Sequence, residues 1–219
     1  MAPGKTDDRP RVANIKLRSR GRAVLTTSDG ETLIVHAEAL KLAGIRDGDV
    51  LDGKARKRLD LERVRQKAHE AALRLLSHRP RSEREMGQRL RQRKLPSDVV
   101  EEEIERLRGA GLLDDEAFAR AWVDERQTST PRGQGLLRYE LLGHGVRSEL
   151  ADEAVASVDD RTAALTVARK RAPRLQGLEY RQFSQRLAGF LERRGFAYDD
   201  VAEAVRTVWN ETAGESEQR

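Results

Sequence analysis

The sequence predicts a mainly α-helical fold: three tandem three-helix repeats forming an elongated, curved array, preceded by a small β-rich N-terminal module. Three observations support this. Hydrophobic residues make up 37% of the 219-residue chain, charged residues 36% and aromatics 4%, against roughly 45–50% apolar and 25% charged in ordinary globular domains. So little apolar material suits a thin stack of small units better than one thick core. An apolar pattern also recurs about every 50 residues. Strand-like signals, finally, are confined to the first quarter of the chain, and 3.6-residue periodicity governs the rest.

Residues 1–11 are polar, contain Pro and Gly, and read as a disordered lead. Residues 12–53 form the β-rich module. Its apolar pieces, Ile15 with Leu17, Val24 with Leu25 and Thr32 through Val35, are separated by Ser19-Arg20-Gly21-Arg22 and Ser28-Asp29-Gly30. Asp-Gly between β-branched runs is a strong hairpin signal. A helical piece over 37–42 ends at Gly44, and Asp47-Gly48 makes another turn. Three strands alone are marginally stable, so the module must dock on the helices C-terminal to it. The basic run Lys54, Arg56, Lys57 and Arg58 is a solvated linker or a helix start.

Residues 54–112 then hold this linker and repeat one, 113–158 repeat two and 159–210 repeat three; 211–219 read as a disordered tail. Leu90, Leu95, Val99, Ile104 and Leu107 set the pattern. The same offsets from Leu141 reach Val146, Leu150, Val155 and Val158; from Leu191 they reach Phe196, Asp200, Val205 and Val208. Only Asp200 is polar, and Val201 stands beside it. In each copy one helix ends near Lys94, His144 or Arg194, with Gly145 and Gly195 suited to a left-handed terminus. A second helix comes next, with one apolar stripe. A further helical segment precedes each pair, over 62–76, 115–127 and 161–171, set off by Pro80, Pro131 and Pro173. Ser82-x-x-Glu85 is a capping box. Pairs this short cannot bury their stripes alone, so neighbours share cores.

Catalytic signatures are missing. The histidines at 36, 69, 78 and 144 have no ligand spacing, and no phosphate-binding or nucleophile-elbow glycine motif occurs. Asp114-Asp115-Glu116, ahead of Ala117-Phe118, reads as a helix N-terminal cap and not as a metal cluster. The expectation is no catalysis, no cofactor and no metal. Absence of cysteine fits a reducing cytoplasm. No apolar stretch nears the roughly 18–20 residues a membrane span needs, and a monomer is expected. Charge is what remains: a net +5 carried mainly by arginine, which suits phosphates and carboxylates. Arg79, Arg81, Arg84, Arg89, Arg91, Arg93 and Lys94 crowd repeat one, whereas the helix over 98–105 is acidic. Arg161, Arg169, Lys170, Arg171 and Arg174, then Arg186, Arg193 and Arg194, do so in repeat three. Of these, Arg79 through Lys94, Arg169, Lys170, Arg171, Arg193 and Arg194 are the candidate partner-binding residues. The aromatics Phe118, Trp122, Phe190, Phe196 and Trp209 read as buried, which argues against base stacking.

Three stretches also carry a resemblance. Ala72-Leu73 through Leu76, Arg79 and Ser82-Glu83, then Gly111-Leu112-Leu113-Asp114-Asp115-Glu116 with Phe118-Ala119, then Gly133 through Glu140-Leu141 to Gly145-Val146, are together similar to the RecX family, over about residues 62–209. The resemblance implies three three-helix repeats and a modulator, usually an inhibitor, of the RecA recombinase. Such proteins bind the RecA–single-stranded DNA filament and reduce its ATP hydrolysis, strand exchange and growth. Single-stranded DNA is the second partner it implies. The motif residues Asp114, Asp115, Phe118, Gly133, Glu140, Leu141 and Gly145 look structural. Where relatives tend to be basic this sequence has Gly135, Leu136, Leu142 and His144, so repeat two contributes less charge. The rival readings are a stand-alone basic nucleic-acid-binding repeat protein and a scaffold for a helical partner.

Overall fold

The computed structural model describes residues 9–217, and the lead and tail expected at the two ends lie outside it as far as residues 8 and 218–219. Strands β1 (Val12–Leu17), β2 (Arg22–Thr27) and β3 (Thr32–His36) form one antiparallel sheet in the order β1-β2-β3. Consecutive left-handed residues Arg20 and Gly21 turn the first hairpin, which matches the right-handed twist of the paired strands. The second turns at Gly30. Helix α1 (Ala37–Leu42) comes directly after β3. Segment 48–51 pairs with the chain at 10–12 through Val12 N–H to Asp49 O and Leu51 N–H to Pro10 O, both 2.8 Å. Arg11, assigned to the lead from sequence, therefore belongs to this small pairing.

Helix α2 (Gly53–Leu76) is 24 residues long and starts well before the expected position 62. The Asp52 carboxylate accepts the N–H groups of Lys54 and Ala55 at 2.9 and 2.8 Å, fixing the start. Ala55 and Leu59, one turn apart, then enter the core of the sheet with Leu25, Val35, Leu40 and Ile45. The basic run is thus a helix start, and one continuous helix joins the β module to repeat one. Helices α3 (Glu83–Arg91) and α4 (Ser97–Gly109) complete that repeat.

Repeat two comprises α5 (Asp115–Ser129), α6 (Gln134–His144) and α7 (Ser148–Val155). Repeat three comprises α8 (Asp160–Arg171), a short 3₁₀ turn over Ala172–Leu175, α9 (Tyr180–Glu192) and α10 (Tyr198–Glu217). Helix α10 carries on through 211–217, where the sequence suggests a tail. The template positions lie inward: Leu90, Leu107, Leu141, Val155, Leu191, Val205 and Val208 are buried, and Val201 takes the buried place beside half-buried Asp200.

The chain groups into two compact units. The first runs to Arg79 and resumes over Met86–Ala110; the second takes Pro80–Glu85 and the chain from Gly111 onward. Among the described residues no helix is long and apolar enough to cross a membrane.

Candidate partner-binding surface

Several residues of the recurring motifs are used in a joint that occurs twice within the second unit. In each instance the N-terminus of a middle helix meets the C-terminal turn of the next middle helix. Ser82 Oγ donates to His144 O at 2.5 Å, and at the second joint Gly133 N–H donates to Arg194 O at 2.8 Å. The paired aspartates divide their work. Asp114 accepts from the N–H groups of Glu116 and Ala117, and Asp159 from that of Thr162, each capping its own helix. Asp115 and Asp160 instead cap the helix of the preceding repeat, accepting from Glu83 N–H and Gln134 N–H at 2.9 Å. A capping carboxylate favours the positive end of a helix.

Close approach explains the glycines. Gly145 and Gly195 are left-handed, with φ of 84° and 82°. A Cβ on Gly195 would lie 2.3 Å from Leu136 N, and one on Gly133 would lie 2.2 Å from Gly195 O. At the first joint the stem of Arg84 covers Gly145. Lys94 holds the equivalent left-handed position in repeat one, with φ 60°. The capping box is half realised: Ser82 Oγ accepts from Glu85 N–H at 3.1 Å, but the Glu85 carboxylate pairs with Arg81.

Burial raises the pKa of Asp160 above the ordinary carboxylate value, against the bond from Gln134 and with repulsion from Asp200 and Asp159. The folded chain therefore holds this proton more tightly than the unfolded chain. The resulting stabilisation is complete below the unfolded pKa and is lost as pH rises through the folded one. Asp160→Asn keeps a carbonyl oxygen for Gln134 without the charge. It is expected to match the parent protein at acid pH and to be the more stable of the two at neutral pH, as measured by urea midpoints across that range.

The candidate cations fall into two groups. Arg81 is only 9% exposed and committed to Glu85. Arg169 donates from Nε and Nη2 to Glu211 at 3.0 and 2.6 Å, Arg171 lies over the Phe190 ring, and Arg194 lies over the same ring while reaching Pro131 O. These four are engaged by internal partners. Arg91 is 4.0 Å from Glu101. Arg79 and Arg84 are exposed. Arg89, Arg93 and Lys94 in the first unit, and Lys170 and Arg193 in the second, are exposed and carry no ion pair among the described residues.

The acidic helix is engaged locally. Glu103 of α4, 4% exposed, takes His69 Nδ1 and Arg106 Nη2 at 2.9 Å, and Glu102 pairs with Arg65. Glu102 and Glu62 raise the Arg65 pKa above its usual value. In repeat two, Glu140 gathers Trp122 Nε1 at 3.0 Å together with Arg132, with Arg126 Nε at 3.6 Å. Burial, then Arg126 and Arg194, lower the Arg132 pKa. Arg120 pairs with Glu116 and Arg138 with Asp152, so the repeat's arginines, Arg147 apart, are spent internally.

Two features have no clear signature in the sequence. Tyr139 and Tyr198 are 75% and 78% exposed, and a lone tyrosine on a helix gives no signal of its facing. Arg22, His36, Arg63 and Lys67 meet in one cleft, although they are scattered along the chain. Phe118 and Phe196 are buried as expected, whereas Trp122, Phe190 and Trp209 are half-buried.

Known proteins share this architecture. Residues 68–107, 114–155 and 159–205 match the models for the first, second and third three-helix domains of RecX. The regulatory protein RecX of Streptomyces coelicolor is 36% identical over 157 residues, covering 69% of this chain and 82% of its own. That of Chlorobium phaeobacteroides is 33% identical over 143 residues, covering 65% and 94%. A solved regulatory protein RecX superposes with a TM-score of 0.78 at 23% identity, covering 90% of this chain and 99% of its own. RecX from Lactobacillus salivarius does so at 0.61 and 24%, covering 66% and 96%. At these identities the two structures carry the fold alone. Three domain models matched in order, each on one of the three-helix repeats, together with relatives of this identity, make the chain a member of the RecX family.

Proposed function

We propose that the chain is a non-catalytic regulator, mainly an inhibitor, of a RecA-type recombinase, binding the RecA–single-stranded DNA filament and lowering its ATP hydrolysis, strand exchange and growth. The relatives' shared name, regulatory protein RecX, supports a regulatory role. The observation that carries the binding half is the set of exposed cations without internal partners: Arg89, Arg93 and Lys94 in one unit, Lys170 and Arg193 in the other. Such side chains are free to meet phosphates or carboxylates, and interactions of that kind weaken as salt rises. The internally engaged arginines, by contrast, are expected to contribute stability and not affinity. Co-sedimentation with RecA filaments assembled on single-stranded DNA tests this. The chain is expected to pellet with filaments at low salt and to be released at high salt; a chain that stays in the supernatant at low salt contradicts the proposal.

A further inference from the structure

A cleft between the β module and α2 is left unexplained by the joint and the exposed cations of the repeats. It opens where edge strand β3 meets α2 and is about 180 Å³ in volume. Arg63, Gln66, Lys67 and Glu70 recur at helical spacing along one face of α2, and Arg22, Ile34 and His36 supply the sheet side. Three permanent cations therefore face one carboxylate. Arg22 and Lys67 have no ion-pair partner among the described residues, while Arg63 contacts Asp60 at 3.2 Å and Glu70 is shared among Gln66, Arg74 and His36. The imidazole of His36 is held against Gly21, where an added Cβ would stand 2.7 Å from its Cε1. Its Nε2 lies 3.7 Å from Glu70, and its Nδ1 is buried without a hydrogen-bond partner.

We propose that this cleft binds a phosphate group, and that the group belongs to a nucleic-acid strand. Arg22, Arg63 and Lys67 are the donors, arginine by its planar fork and lysine as a point charge. The polymer is favoured over a free phosphate by what adjoins the cleft. Residues facing outward from the sheet include the cross-strand rows Lys16–Val24–Ile34 and Arg22–His36. Their neighbours on that face, Asn14, Thr26 and Thr32, are uncharged. A strand anchored in the cleft thus has a cationic, acid-free sheet to run along, whereas a free phosphate would use the cleft alone. Because the site lies between β3 and α2, apart from the exposed cations of the filament reading, and is tested on DNA without recombinase, it stands or falls separately from that reading.

Fluorescence anisotropy of a labelled oligodeoxythymidylate with the full chain is the test. Arg22→Gln/Lys67→Gln is expected to weaken binding about tenfold and to make the salt dependence shallower by about 0.7 for each phosphate no longer neutralised. Lys16→Gln, remote from α2, should weaken binding less. Both variants change solvated side chains, and circular dichroism melts matching the parent protein would establish that they fold. Inorganic phosphate and ATP, titrated by calorimetry, separate the two phosphate sources. Parent-like oligonucleotide affinity and salt slope in the double variant would overturn the proposal, as would failure of the parent protein to bind the oligonucleotide. Loss of free-phosphate binding with oligonucleotide binding intact would overturn its polymer half.

Discussion

Gly195→Ala is expected to destabilise the second unit by about 3–5 kcal/mol, from about 1–2 for a left-handed alanine and the rest from overpacking. The glycine has φ 82°, and the new Cβ would lie 2.3 Å from Leu136 N and 2.4 Å from Leu136 Cβ. The atoms struck include backbone at the start of a helix pinned by Asp160, so the joint must open to accommodate them. Gly133→Ala meets the same obstacle from the other side, 2.2 Å from Gly195 O. Since both open one joint, the double variant should cost less than the sum of the singles. Gly143→Ala is the control: its Cβ meets nothing within 4 Å, and the helix should gain about 0.5 kcal/mol. Urea unfolding monitored by circular dichroism gives all four values. A Gly195→Ala chain with the parent midpoint would refute the joint as described.

Charge reversal at Arg89→Glu/Arg93→Glu is expected to weaken filament binding by about tenfold to a hundredfold at low salt, with the loss shrinking as salt screens the surface. Both residues are exposed and without an ion pair among the described residues. Reversal therefore removes attraction without breaking an internal interaction, and the unfolding midpoint should not move. Arg169→Glu should behave in the opposite way. Its guanidinium is bound to Glu211, which holds the Arg169 pKa up and the Glu211 pKa down. Reversal there places two carboxylates together and should lower stability with little effect on affinity. Equal losses of affinity from the two variants would mean that total charge, and not this placement, governs binding.

The repeats are legible in the sequence because burial imposes a period: Leu90, Leu141 and Leu191 recur, and all three are buried. Where Asp200 breaks the pattern, Val201 is the correct substitute. The early start of α2 is legible in principle from Asp52 and the spacing of Ala55 and Leu59, but Lys54, Arg56, Lys57 and Arg58 make the segment resemble solvent-exposed chain. The second role of Asp115 is harder to see. An aspartate at a helix start caps that helix by default, and only the recurrence of Asp-Asp at 114–115 and 159–160 hints at two tasks. Free and committed arginines look alike in sequence. Arg81 and Arg89 are two turns apart on or near one short helix, yet one is enclosed with Glu85 and the other faces solvent. Pairings such as Arg169 with Glu211 span 42 residues, which no local pattern encodes.

The most direct measurement is the single-stranded-DNA-dependent ATPase of RecA titrated with the full chain. A saturable, salt-sensitive fall in rate is the result expected of a regulator that binds the filament through exposed cations. An unchanged rate at concentrations that saturate the filament by co-sedimentation would contradict it.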